Sequence, residues 1–316
     1  MAQILTLTMN PAIDKSAHVD RVTADVKLRA RDVRRDPGGG GINVSRAIAY
    51  LGGSSRTAYV CGGMEGEMLD DLLQVDAIER EPLRVAASIR ENLTVTDEST
   101  ETQYRFGMPG PELTAAEVRH IEKRVVELID RDTILVASGS LPPGAPDDFY
   151  AGLARHAGDR GARIIVDTSG EALIRAIEAG VYLVKPNLHE LGVILGEADL
   201  EGPRIREAAE ELVASGRAEH VLVSLGSAGA LLATRGATKQ YGAPTVSVRS
   251  RIGAGDSMIG GIAWSLARGE DVDTATRWGI AAGAAAVMTP GTELCRGDDA
   301  RRLFNEVAQT RTSGGG

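Results

Sequence analysis

From about residue 132 onward, short runs of apolar residues alternate with stretches whose apolar side chains recur every three or four positions. The runs Thr133–Ala137, Arg163–Val166, Val181–Val184 and His220–Ser224 predict strands. Between and after them, Asp147–Gly158, Glu171–Ala179, Asn187–Leu195 and Pro203–Ser215 predict helices. Strands apolar on both faces and separated by helices signal a parallel sheet covered on both sides. The chain also starts as a strand, Ile4–Thr8. The fold class is therefore α/β.

Two earlier segments, about 12–35 and 85–107, instead alternate apolar and polar residues, as in Ser88–Val95. That is the pattern of half-exposed antiparallel strands. They flank a glycine-rich turn and helix, Gly38–Gly52, that belongs with the main sheet. We read them as a small β lid projecting from one α/β domain over residues 1–311, with 312–316 as a flexible tail. A lid with one apolar face finds a partner, so a homodimer through the lid is expected.

Composition narrows the function classes. A net charge of −9 over 316 residues argues against nucleic-acid binding, which needs clustered Lys and Arg, but leaves room for a locally basic pocket. Two cysteines, Cys61 and Cys295, do not make a disulfide framework, and no secretion signal or membrane-length apolar stretch stands out. A cytoplasmic home is expected.

Four segments carry candidate chemistry. The first, Gly253-Ala254-Gly255-Asp256, opens a long small-residue helix. Glycines there let backbone N–H groups face an anion, and Asp256 in the first turn is placed to take a proton from an attacking hydroxyl. A helix-capping Asp after a glycine turn explains the tetrad equally well. The second, Gly38-Gly39-Gly40-Gly41 followed by Asn43, suits a polyhydroxy ligand lying against bare backbone; it is neither a dinucleotide fingerprint nor a Walker loop. In the third, Lys185-Pro186-Asn187-Leu188-His189-Glu190, Asn187 and Glu190 share one helix face and offer oxygens suited to Mg²⁺, although by themselves they favour a capping arrangement. The fourth, Ser224 to Gly229, is a strand with a small-residue turn at an end where nucleotides bind, or a plain hairpin.

In this order and spacing the four segments resemble the ribokinase/PfkB family of carbohydrate kinases, over nearly the whole chain from Thr6 to Cys295. The resemblance implies a ribokinase-like three-layer α/β/α sandwich whose β-sheet lid often forms the dimer contact. It places Asp14, Gly38, Gly39, Asn43 and Ser140 with the sugar, Arg90 and Arg105 on the sugar phosphate, and Lys27 as a further lid candidate. Lys185, Asn187, Ser224, Gly226 and Gly229 fall on the ATP side, Glu190 in the Mg²⁺ network. Gly253, Ala254 and Gly255 become the anion hole, and Asp256 the base. A monovalent-cation site, with K⁺ the candidate ion, falls around Ser250, Ile252, Ala286 and Gly291.

Finer marks are similar to the 6-phosphofructokinase branch: Gly40, where sister kinases carry Lys, the run Gln103-Tyr104-Arg105-Phe106, and the ending Gly291-Thr292-Glu293-Leu294-Cys295. Arg251 and Glu293 depart from the expected residues, small polar and basic respectively. The implied reaction is phosphorylation of fructose 6-phosphate by ATP. Tagatose-6-phosphate kinase, 1-phosphofructokinase and a non-catalytic sugar-phosphate sensor are the alternatives, and a nicotinamide dehydrogenase lacks its fingerprint.

Overall fold

The structure, a computed structural model, describes residues 2–74, 78–197, 200–307 and 309–310. The tail expected at 312–316 lies outside them. Strand β1 (Ile4–Thr8) leads into β2 (Ala12–Val19) and β3 (Arg31–Gly38), followed by α1 (Gly40–Tyr50), β4 (Arg56–Cys61), α2 (Gly63–Gln74) and β5 (Glu79–Arg84). Next come β6 (Arg90–Asp97), β7 (Thr102–Phe106), α3 (Ala115–Glu127), β8 (Ile134–Ser138), α4 (Phe149–Arg160), β9 (Arg163–Asp167), α5 (Gly170–Glu178) and β10 (Val181–Val184). The chain continues through α6 (Leu188–Leu195), α7 (Pro203–Ala214), β11 (Ala218–Ser224), β12 (Ala230–Thr234) and β13 (Ala237–Tyr241). It ends with α8 (Ala254–Ala267), α9 (Val272–Val287), α10 (Gly297–Phe304) and β14 (Gln309–Thr310).

Among the described residues, the main sheet runs β14-β13-β12-β11-β10-β9-β8-β1-β4-β5. It is parallel from β5 to β11 and antiparallel at the β12–β14 edge. Alternate residues of one strand feed opposite cores. Leu5 and Leu7 pack with residues of α2 to α7, whereas Ile4 joins Val44 and Ile48 of α1 and Ile259 and Ile262 of α8. Helices on both faces are why these strands read as unbroken apolar runs. The observed helices begin or end within two residues of the predicted ones, and β11 starts earlier, at Ala218. Both cysteines are buried and free. Among the described residues no helix is long and apolar enough to cross a membrane.

The lid is a second sheet, ordered β3-β2-β6-β7. One expectation changes here: β2 and β6 pair in parallel, with Ala12 beside Arg90, while the outer pairs are antiparallel. Both strands climb away from the main sheet in the same direction, which no alternation pattern reveals. Val33, Tyr104 and Phe106 stand exposed on the lid.

Candidate active site

Parallel strands deliver their following residues to one edge of the sheet, where open α/β folds bind ligands. Asp167 ends β9, Lys185 follows β10, Ser224 ends β11 and Ser140 follows β8. Against this edge α8 begins. Its N-cap, Gly253, has φ 73°, a left-handed conformation that side chains resist. The first N–H groups of a helix have no intrahelical partner and point at whatever lies before it.

Asp256 sits in that first turn, and Asn43 Nδ2 on α1 donates to its Oδ2 at 2.8 Å. Burial pushes its carboxyl up to about 6, and the nearby charge of Asp167 adds to the rise; Asn43 and Lys185 pull the other way. Lys185 is almost fully buried, with Nζ 3.2 Å from Asp167 Oδ1. Burial works against the Lys185 charge, but Asp167, and further off Glu190 and Asp256, outweigh it and hold the ammonium above its ordinary range. A Cβ added to Gly255 would lie 3.8 Å from that ammonium. The start of α8 therefore combines open amides, a buried cation and a carboxylate that gains its proton near pH 6.

Under the lid is a cavity of about 340 Å³, lined by Asp14, Arg90, Asn92, Arg105, Ile252 and Thr292 among others. Asn92 Nδ2 donates to Asp14 Oδ1 at 2.9 Å. Burial raises the Asp14 carboxyl; Asn92, Arg90 and Arg105 partly offset this, and Asp36 reinforces it. Arg90 is fixed at one end, donating to the carbonyls of Asn10 at 3.1 Å and Met108 at 3.3 Å. Its buried Nε has no partner in the protein, nor has the buried Oδ1 of Asn10. Asn10 Nδ2 reaches Ser140 Oγ at 3.2 Å, which ties Ser140 to this cluster. The glycine run is shaped by the same site: Gly39 has φ 120°, and a Cβ on Gly38 would overlap Asp14 Oδ2.

Most of the remaining predicted residues make contacts of their own. Lys27 lies exposed in the β2–β3 connection and does not line the cavity. Asn187 and Glu190 form a capping box: Asn187 Oδ1 accepts from the Glu190 N–H and Glu190 Oε2 from the Asn187 N–H, both at 2.9 Å. The backbone at Asn187 also bridges to Ser224, whose N–H bonds Pro186 O at 2.9 Å, so the third and fourth segments meet. The turn from Gly226 joins β11 to antiparallel β12, as in the hairpin reading. A Cβ on Gly229 would overlap Tyr241 O, which is reason enough for glycine there. Near the α8 start, Ser250 Oγ donates to Gly291 O at 2.7 Å and accepts from the Ile252 N–H at 3.2 Å. The Ala286 carbonyl accepts from Thr289 Oγ1 at 2.7 Å. Sequence reading passed over Asp167, Asn92 and Thr292. Asp167, following an apolar strand directly, was open to the carboxyl-end rule.

The pfkB family carbohydrate kinase profile matches residues 6–298. This chain belongs to the pfkB family of carbohydrate kinases. It is 43% identical over 307 residues to ATP-dependent 6-phosphofructokinase isozyme 2 of Mycobacterium tuberculosis, covering 97% of this chain and 90% of that one. A 1-phosphofructokinase from Xanthomonas campestris is 33% identical over 310 residues, covering 96% and 94% of the two chains. Among solved structures, phosphofructokinase-2 from Escherichia coli in complex with potassium superposes with a TM-score of 0.93 at 40% identity, covering 97% of this chain and 99% of that one. The same Escherichia coli protein has been solved with fructose-6-phosphate and as a tetrameric inhibited form, each with a TM-score of 0.91. The lid, the three layers and the glycine-capped α8 thus belong to a carbohydrate-kinase scaffold. In this pfkB kinase, Gly38→Ala is expected to push the Asp14 carboxylate aside. With Asp14 expected at the sugar, a misplacement near 1 Å is expected to lower kcat/KM by roughly a hundredfold, which steady-state kinetics will read.

Proposed function

We propose that this pfkB kinase transfers the γ-phosphoryl group of ATP to the C1 hydroxyl of fructose 6-phosphate, giving fructose 1,6-bisphosphate. The observation that carries the proposal is the lining of the cavity. It brings two lid arginines and Asp14 together with Ile252, the residue just before the Gly253 cap. Arginine forks suit the sugar's phosphate, and Asp14 accepts hydrogen bonds from its hydroxyls. With the phosphate held at the lid, the far hydroxyl is directed at Asp256.

In this reading Asp256 takes the hydroxyl proton, while the amides of Gly253, Ala254 and Gly255 and the Lys185 ammonium face the transferring phosphoryl group. Lid closure excludes water. Among the described residues no group of three His, Cys, Asp or Glu side chains is placed to hold a metal. Mg²⁺ therefore fits here only as an ion arriving with the nucleotide phosphates and water, near Glu190 and Asn187. There it would neutralise phosphate charge. Ser250 Oγ beside the Gly291 carbonyl, and the Ala286 carbonyl, are oxygens of the kind that suit K⁺. Exposed Val33, Tyr104 and Phe106 support pairing of two copies through the lid, in a protein working in the cytoplasm.

A coupled ADP-release assay over fructose 6-phosphate, tagatose 6-phosphate, fructose 1-phosphate and free fructose tests the proposal. The highest kcat/KM is expected with fructose 6-phosphate. A preference for either of the other phosphates moves the chain to a sister activity, and binding without ADP release makes it a sensor.

A further inference from the structure

Loop 289–295, between α9 and α10, is held on two sides by contacts that the phosphoryl chemistry does not itself require. On the lid side, Thr292 lines the sugar cavity and its Oγ1 donates to Asp36 Oδ2 at 3.0 Å. Asp36 is buried near the end of β3 and lies directly opposite Asp14 of β2. Its Oδ1 accepts from Arg34 Nε at 2.9 Å, and Arg34 Nη1 reaches on to Glu293 Oε1 at 3.4 Å. One lid strand thus grips two consecutive loop residues.

On the other side the same loop is fixed to the start of α8. Leu294 Cδ2 lies 2.6 Å from where a Cβ on Gly253 would be, and the Cys295 N–H donates to Ser257 Oγ at 3.3 Å. Ser250 Oγ joins Gly291 O to the Ile252 N–H. Loop residues 291–295 therefore touch both the strand behind the sugar cavity and the cap of the phosphoryl-facing helix.

We propose that Asp36, Thr292 and Glu293 are positioning residues that couple occupancy of the sugar cavity to the geometry of the α8 start. A sugar phosphate seated against Asp14 and Arg90 fixes β3, and β3 fixes the loop that packs on Gly253. The nucleotide then meets a helix start already set for transfer. The Thr292 bond, accepted by a buried carboxylate, is the strong link, since charge-assisted hydrogen bonds are roughly twice as strong as neutral ones. The exposed Arg34–Glu293 pair is the weaker one. It also accounts for the departure at 293: a basic side chain there would repel Arg34. The inference rests on the kinase reading above.

The test is calorimetric binding of a non-hydrolysable ATP analogue to the full chain, with and without fructose 6-phosphate. Allosteric couplings typically run from about fivefold upward, and the parent chain is expected to show at least that tightening. Thr292→Ser, which keeps the hydroxyl, should retain it, whereas Thr292→Val should lose most of it. Glu293→Gln, at the solvent side and safe for folding, should reduce it in part. A merely structural role for Thr292 would weaken both ligands without changing their ratio. Unchanged tightening in Thr292→Val and Glu293→Gln, or none in the parent chain, overturns the inference. If the parent chain turns over no sugar phosphate, the kinase reading fails and takes the inference with it; turnover with unchanged coupling sinks the inference alone.

Discussion

Replacing Asp256 by asparagine is expected to stop turnover and, at the same time, to stabilise the folded chain. The first effect follows from the proposed role of Asp256, since a general base contributes about a hundred- to ten-thousand-fold to such reactions. The second follows from the environment. The folded carboxyl titrates at about 6 rather than the ordinary 3.8, so the charged form is disfavoured in the folded state. For an acid with a raised folded value, the favourable protonated form is complete below about 4 and is lost as pH rises through about 6. At pH 8 the native protein therefore carries the full penalty, on the order of 1–3 kcal/mol at 1.36 kcal/mol per unit. The amide introduced by Asp256→Asn carries no such charge, and its oxygen can still accept from Asn43. Denaturant melts of both proteins at pH 8 and pH 5 will show it: a gain at pH 8 that shrinks at pH 5. The parent enzyme's kcat should fall on acidification with a midpoint near 6. A variant with near-normal turnover would remove Asp256 from the mechanism.

Lys185→Met is expected to produce the largest loss of stability. Lys185 and Asp167 form a pair with the lysine almost fully buried. Breaking such a pair by removing one partner costs about 3–5 kcal/mol, because the remaining charge is left uncompensated. A second readout separates this from general damage. The Lys185 charge lowers the Asp256 carboxyl, and its removal should move the acid limb of the kcat–pH profile upward. Asp167→Asn, which removes a charge that raises Asp256, should move that limb downward. If the two limbs shift in the same direction, the electrostatic account of the site is wrong.

The main sheet was legible because burial on both faces writes unbroken apolar runs, as in Val181–Val184, where the predicted and observed bounds coincide. The lid was legible as alternation but not as pairing, since β2 beside β6 in parallel depends on where two distant segments leave the body. The glycine-capped start of α8 was legible because Gly253 and Gly255 beside an aspartate form a local pattern, which by itself fits a helix cap as well as a base. Asp167 was marked only by its place at the carboxyl end of an apolar strand; its partner, Lys185, eighteen positions on, becomes visible when the chain is folded. Asn187 and Glu190 show the reverse case. The capping box favoured on the residues alone is what forms, and any metal duty is added to it.

The hydrogen bond between Asn43 and Asp256 spans 213 positions of sequence. On the ribosome, the lid strands and the glycine run emerge early, while α8 is among the last elements made. Domains generally fold as units, so a single domain waits for its last elements. A nascent or prematurely released chain ending before about residue 250 would lack α8, α9 and α10, which build the core on one face of the main sheet, and with them Ile252 and Thr292 of the cavity and Asp256. Incomplete products of translation would therefore expose an apolar sheet face and hold neither half of the site in working order.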